Sequence, residues 1–486
     1  MDGIKNVLLW CAQHFVFINL IFSFIIIFFQ RRNPATVWAW LLVLYFIPIA
    51  GFLLYLMLGQ DFRKSRMFRA KEIEGEIKYA IRRQEESIHK KQLRLKDPAM
   101  ERYRDLILYN LSSAKAVITD DNDICIYTDG QEKFEALLEE MEKAVNYIHL
   151  QYYIIRNDEL WEKIEEVLVR KVRSGVEVRV LFDSCGCRNM TRKVWTGLKQ
   201  EGIRVAEFFP AVLGKLQLRL NYRNHRKIVV IDGRIGFLGG FNIGCEYLGQ
   251  GKKFGYWRDT HIRIEGSAVT SLAVRFVLDW NYAAGENLFS CDRLFTVPVY
   301  ARKGCAPVQI VSSGPDSSNP VIRDNYLRLI GKARHHIYIQ TPYFIPDEAI
   351  LAALKIAARS GVKVRIMVPC RPDHPLVYWV TYSYLGEMIA EGAEGYIYEN
   401  GFLHAKTLTV DGEVTCMGTA NMDIRSFQLN FEVNAAIYHE PVTRRMEEAF
   451  LEDIRKCTLL DSRKYGERPF TVRIKEQVSR LFSPLL

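Results

Sequence analysis

Asn224-His-Arg-Lys-Ile-Val-Val-Ile-Asp232, closing in Gly239-Gly-Phe-Asn242, and Leu403-His-Ala-Lys-Thr-Leu-Thr-Val-Asp411, closing in Gly418-Thr-Ala-Asn421, are one motif written twice. His, Lys, Asp, Gly and Asn recur at a constant offset of 179 residues. The β-branched runs read as strands, and Asp232-Gly233 and Asp411-Gly412 are turn dipeptides that fold each strand onto the next. Side chains at i and i+2 of a strand share a face, so His225 points with Lys227 and His404 with Lys406. Asp232 and Asp411 belong to the motif and stand with His and Lys as candidate catalytic residues, although their place in the turn suits support of the hairpin better. One HxKxxxxD match carries little weight; two at equal spacing, each with a Gly-x-x-Asn tail, carry much.

The repetition extends outward. Ile148-His-Leu-Gln-Tyr-Tyr153 answers Ile337-Tyr-Ile-Gln-Thr-Pro-Tyr343, and Arg173-Ser-Gly-Val-Glu-Val-Arg179 answers Arg359-Ser-Gly-Val-Lys-Val-Arg365. In both copies an apolar strand leads to a helix of about 20 residues, a Ser-Gly stop and a Val-rich buried strand. This alternation predicts an α/β fold: two halves, 106–290 with its motif at 220–247 and 291–465 with its motif at 399–426, packed about a pseudo-twofold axis.

Such an axis brings two His, two Lys and two Asn (Asn242 and Asn421) to one pocket. Two ammonium groups and amide donors suit a phosphodiester, and suit still better the charge that builds at its transition state. One imidazole attacks phosphorus while the other protonates the departing alkoxide. The lysines neutralise charge, so neither metal nor cofactor is expected. Each copy also has a downstream acid: Asp259 follows His225 by 34 residues and Glu432 follows His404 by 28. A carboxylate accepting the Nδ1 proton fixes the tautomer and frees Nε2.

Ahead of the repeat, Val7–Phe29 and Ala35–Leu58 hold no charged residue, and each is long enough to cross a bilayer as a helix. The expectation is a transmembrane hairpin within residues 1–60. Arg31 and Arg32 lie in its short connection, but Arg63, Lys64, Arg66, Arg69 and Lys71 follow it, which places the catalytic part on the cytoplasmic side. Residues 61–105 read as a basic juxtamembrane helical linker. The net charge of +10 is open to nucleic acid, anionic membrane or phosphate-bearing substrates; two spans count against nucleic acid. The ten cysteines show no CxxC pair and read as reduced thiols. In the tail 466–486, Ile474, Val478, Leu481 and Phe482 make an apolar stripe at helical spacing, suited to an interfacial helix or to packing on the body.

The duplicated motif resembles the phospholipase D superfamily, and the chain is similar to bacterial cardiolipin synthases over nearly its whole length. The closer likeness lies in Asn33-Pro34 with Trp40–Leu44, Tyr222–Lys227, Tyr256-Trp-Arg-Asp-Thr260, Ser313-Gly-Pro-Asp316, Gln340–Asp347, Asn421–Ser426 and Asn430-Phe-Glu432. The resemblance implies a bacterial cytoplasmic-membrane enzyme that joins two phosphatidylglycerols into cardiolipin and releases glycerol. It also implies a phosphohistidine, placed on His225 with His404 as the acid. Thr419 stands where the family often has Ser, keeping a hydroxyl for a phosphate contact. Arg223 and Arg226 flank His225, where guanidinium charge favours its neutral form, although Arg226, alternating along the strand, is expected to point away from the pocket.

Overall fold

A computed structural model describes residues 98–210, 222–295 and 304–485 apart from Lys252 and Ser318, together with Pro34–Phe46, Ala301 and scattered positions between 17 and 55. The first half supplies β1 (Ile118–Tyr127), β2 (Tyr147–Tyr152), β3 (Glu177–Asp183), β4 (Arg204–Phe208), β5 (Arg223–Asn224), β6 (Ile228–Ile231), β7 (Ile235–Gly239), β8 (Trp257–Arg258) and β9 (His261–Glu265). The second supplies β10 (Ala306–Ser313), β11 (His336–Gln340), β12 (Phe344–Ile345), β13 (Lys363–Pro369), β14 (Glu394–Tyr398) and β15 (Phe402–Leu403). It continues with β16 (Thr407–Val410), β17 (Val414–Gly418), β18 (Met422–Asp423), β19 (Asn430–Ile437) and β20 (Cys457–Leu460).

One mixed sheet runs through both halves. From its middle outward, β1-β9-β7-β6-β2-β3-β4 is answered by β10-β19-β17-β16-β11-β13-β14, with β20 added at the second half's edge. The pseudo-twofold axis passes between β1 and β10, which pair antiparallel with Ile118 opposite Gln309. Helices cover both faces, so central strands are buried throughout: all six residues of β2, with His149 and Gln151 among them, and all four of β6.

The helices that follow β2 and β11 run Glu159–Arg173 and Glu348–Arg359, shorter than the sequence suggests. Asp158 and Asp347 set their starts, each accepting a backbone N–H of the first turn. The residues between strand and cap, which after β11 include the short β12, help line the site. The Ser-Gly stops are where the spacing put them, Gly175 and Gly361 taking φ of 90° and 88°.

The expected boundary near residue 106 is corrected by packing. The helix Arg104–Ala114 buries Leu106, Ile107 and Leu111 in the core of the second half, not the first. Asn110 ties it there through Gln309 and Asn325. Among the described residues no helix is long and apolar enough to cross a membrane. The helix Pro34–Phe46 is the longest described part of the second expected span. Most of the first span and all of 61–97 lie outside the described residues.

Candidate active site

The two motif strands end short of their own sheet and reach across the axis. β5 pairs in parallel with β19 of the other half, and the His225 N–H donates to the Phe431 carbonyl at 3.0 Å. β15 pairs with β8 in the same way, and the His404 N–H donates to the Arg258 carbonyl at 2.7 Å. The residues after Phe431 and Arg258 are Glu432 and Asp259. The crossing therefore delivers each carboxylate to the histidine of the opposite copy.

This overturns the expected pairing within each copy. Glu432 lies 3.0 Å from Nδ1 of His225, and Asp259 lies 2.5 Å from Nδ1 of His404. Both carboxylates are completely buried. Burial pushes their pKa upward, but for Asp259 the Lys406 charge and the contact with His404, and for Glu432 the contact with His225 and the Lys227 charge, outweigh it and hold both below the usual range. The histidines are held neutral: burial, reinforced by Lys406, pushes His404 down to about 4, and burial also lowers His225 against the pull of Glu432. With a carboxylate on Nδ1, each Nε2 is the atom free to react.

The histidines line a cleft of about 440 Å³ with Tyr153, Arg223, Asn242, Trp257, Tyr343, Asn421 and Arg425. Behind them Lys227 donates to the carbonyl of His225 at 2.7 Å and Lys406 to that of His404. Burial depresses both ammonium groups, Lys227 to about 7 and Lys406 to about 8. Glu432 and Asp259 oppose that depression in part, and an anion in the cleft would oppose it further. The Asn421 Oδ1 is buried without a hydrogen-bond partner in the structure, whereas the Asn242 amide is engaged by the Ile154 N–H and the Tyr247 hydroxyl.

Three further sets of motif residues stand apart from the cleft chemistry expected of the motif: the two aspartates and Arg226 as their strand and turn positions suggest, and Thr419 against expectation. Asp232 and Asp411 do not line the cleft. Each sits at the hairpin turn with φ near 53° and gathers three consecutive backbone N–H groups, from Val145, Asn146 and Tyr147 and from Arg334, His335 and His336. They lock the hairpin to the start of β2 or β11. Thr419 does not face phosphate: its hydroxyl donates to Glu432 at 2.6 Å and accepts the Val433 N–H at 2.9 Å. The matching position in the first copy is Gly240, where a Cβ would sit 1.9 Å from Asp259 Oδ1. Arg226 faces away from His225 and holds Asp279 with two contacts of 2.6 and 2.7 Å, so it does not act on the imidazole.

The sequence reading named Arg223 only as a neighbour of His225, and passed over Arg425, Tyr153 and Tyr343 as residues of the site. Arg223 and Arg425 each lie within a motif stretch, and their proximity to basic or polar neighbours was the available signal. Tyr153 was visible only as the end of a repeated strand. Its ring meets that of His225 edge-on at 4.9 Å, as Trp257 meets His404 at 5.2 Å.

Two copies of HxKxxxxD, each completing the other's histidine dyad within one cleft, define the phospholipase D class of phosphodiester-processing proteins. The chain matches the family described as cardiolipin synthase, PLD-like domain over residues 137–254 and 326–454. Residues 17–60 match a phospholipase D-nuclease N-terminal family. It is 46% identical to the major cardiolipin synthase ClsA of Bacillus subtilis across 97% of this chain and 98% of that one. A cardiolipin synthase of Oceanobacillus iheyensis is 47% identical over 96% of this chain and 97% of its own length. Among solved structures, phosphatidylserine synthase of Haemophilus influenzae shares the fold, with a TM-score of 0.60, 16% identity and coverage of 78% of this chain and 99% of that one. The chain belongs to the cardiolipin synthases of the phospholipase D superfamily.

Proposed function

We propose that the protein transfers a phosphatidyl group from one phosphatidylglycerol to another, giving cardiolipin and glycerol. The observation that carries this reading is the pair of buried His–carboxylate dyads facing one cleft with two charge-depleted lysines behind them, in a chain of this family. In the first half-reaction Nε2 of His225 attacks phosphorus, the N–P bond forms, and the bond from phosphorus to the glycerol oxygen breaks. His404 gives its proton to that oxygen. In the second half-reaction His404 takes the proton of a hydroxyl of the second phosphatidylglycerol. The freed oxygen attacks phosphorus and the N–P bond breaks.

An acid with a pKa of about 4 in the empty cleft holds little proton at neutral pH. The anionic phosphodiester corrects this: its charge opposes those of Lys406 and Lys227, which with burial lower His404, and leaves Asp259 to stabilise the imidazolium. Lys227, Lys406 and Asn421 are the groups assigned to the phosphoryl oxygens. Asn242, Thr419, Asp232 and Asp411 are assigned to positioning. The order of the histidines follows the superfamily resemblance, since the dyads themselves are nearly symmetric.

The apolar runs 7–29 and 35–58 anchor the chain as a hairpin in the bacterial cytoplasmic membrane, with the catalytic body on the cytoplasmic side. The absence of charge in both runs, the basic cluster after them and the match of residues 17–60 to an N-terminal family segment support this. Purified protein given phosphatidylglycerol alone tests the proposal. Cardiolipin and glycerol in equal amounts are expected; phosphatidic acid with glycerol would replace the transferase by a hydrolase.

A further inference from the structure

The C-terminal helix Phe470–Arg480 is amphipathic the wrong way round for a protein surface. Its polar side faces the body: Glu476 is fully buried, accepting from Tyr465 and from two nitrogens of Arg468, and Ser479 is buried beside it. Arg480 reaches Glu387 and Ser383 on the helix Pro375–Ala390, and its guanidinium lies over the Tyr384 ring. The apolar side faces out. Phe470 is 74% exposed, Ile474 46%, Val478 51% and Leu481 73%, with Phe482 continuing the stripe. Spacings of four, four and three place these side chains on one line. An exposed apolar stripe held in place by buried ion pairs marks an interaction surface.

We infer that this helix is a second membrane contact, lying in the bilayer surface with its apolar stripe among the headgroups and upper acyl chains of anionic phospholipid. The inference rests on the proposed anchoring of the N-terminal segment. Two observations select lipid as the occupant. The turn Ser483–Leu485 that ends the helix packs on the helix Pro34–Phe46, whose Trp38, Leu42, Tyr45 and Phe46 are themselves exposed, so the two exposed apolar sets lie on neighbouring elements. Between residues 462 and 486 six basic side chains stand against two acidic ones, and Arg473 and Lys475 border the stripe, as an anionic surface requires. A helix fixed both to the body and to the bilayer sets the height and tilt of the catalytic domain over the lipid it consumes.

The full-length protein in vesicles of phosphatidylglycerol and phosphatidylethanolamine tests this, with a benzophenone amino acid placed in turn at Val478 and at Phe24. Lipid adducts at both sites are expected. Adducts at Phe24 with none at Val478 overturn the inference and leave the N-terminal anchor standing; none at either site overturns both. Adducts from Val478 to a second protein chain make the stripe an interface between copies and overturn the lipid assignment. A second measurement uses Phe470→Ser, Ile474→Ser, Val478→Ser and Leu481→Ser combined, all at exposed positions. The apparent KM for vesicle phosphatidylglycerol rises about tenfold, while turnover of a monomeric short-chain phosphatidylglycerol is unchanged. Equal loss on both substrates would show a folding defect or a catalytic role and would overturn the membrane contact.

Discussion

Replacing Glu432 by Gln isolates the charge of one crossed dyad. The side chain keeps its volume in a site with no exposure. Its oxygen can still accept from Nδ1 of His225, and its new NH2 group faces Thr419, whose hydroxyl turns to the Val433 carbonyl 3.2 Å away and so becomes an acceptor. Folding is therefore largely retained. What is lost is the attraction between carboxylate and imidazolium as positive charge develops on His225 during attack. At about 3 Å and an effective dielectric constant near 20, that attraction is about 5 kcal/mol. The retained hydrogen bond to Gln recovers about 1 to 2 kcal/mol, leaving a loss of about 3 to 4 kcal/mol, or roughly 10²–10³ in kcat. The assay is initial-rate cardiolipin formation by the full-length variant in phosphatidylglycerol vesicles, with the melting temperature measured in parallel. The ¹⁵N spectrum of labelled histidine identifies the ring affected: the Nδ1–H signal of His225 moves and that of His404 stays. Activity within tenfold of wild type, or a shift confined to His404, refutes the crossed assignment.

Other outcomes follow from the same geometry. His225→Ala and His404→Ala each abolish turnover without loss of folded protein; more than about a tenth of wild-type rate in either would remove the two-histidine mechanism. Gly240→Thr drives its Cβ into Asp259 and displaces the partner of His404, so kcat falls by at least about 10² while Thr419→Gly, which only releases Glu432, costs less. Asp411→Ala leaves three backbone N–H groups unpaired and costs about 2–3 kcal/mol of stability, read as a lower melting temperature, with specific activity of the folded fraction retained. Because Lys227 and Lys406 titrate near 7 and 8 in the empty cleft and bind phosphate only when charged, kcat/KM declines as pH rises through that window. A profile flat to pH 10 would contradict their role.

The periodicity of the motif was enough to place strands, hairpins and the convergence of His225 and His404, because a duplicated pattern constrains both copies at once. The partner of each histidine was not legible. Spacing counts residues along one chain, whereas the β5–β19 and β15–β8 pairings join chains of opposite halves. The arginines show the same limit. Arg226 serves Asp279 from the motif strand, while its counterpart site in the second copy, Asp453, is served by Arg258 from the carboxylate strand, also of the first half. In place of Arg226 the second copy has Ala405, and in place of Arg258 it has Phe431, over whose ring Arg226 lies at 5.2 Å. The charge was conserved in space but moved between strands, so a comparison of the copies by position sees only mismatch. Thr419 likewise looked like a substrate contact because its hydroxyl was visible in the sequence and its burial was not.

The crossed strands also set the order in which the site is completed during synthesis. A ribosome delivers His225, Lys227 and Asp259 long before Glu432, and the newly made first half has a histidine with no carboxylate behind it. The second half, once made, takes its carboxylate from residues already waiting. Neither histidine meets its carboxylate until the two halves have docked, so the paired dyads are completed by assembly itself rather than by the folding of either half.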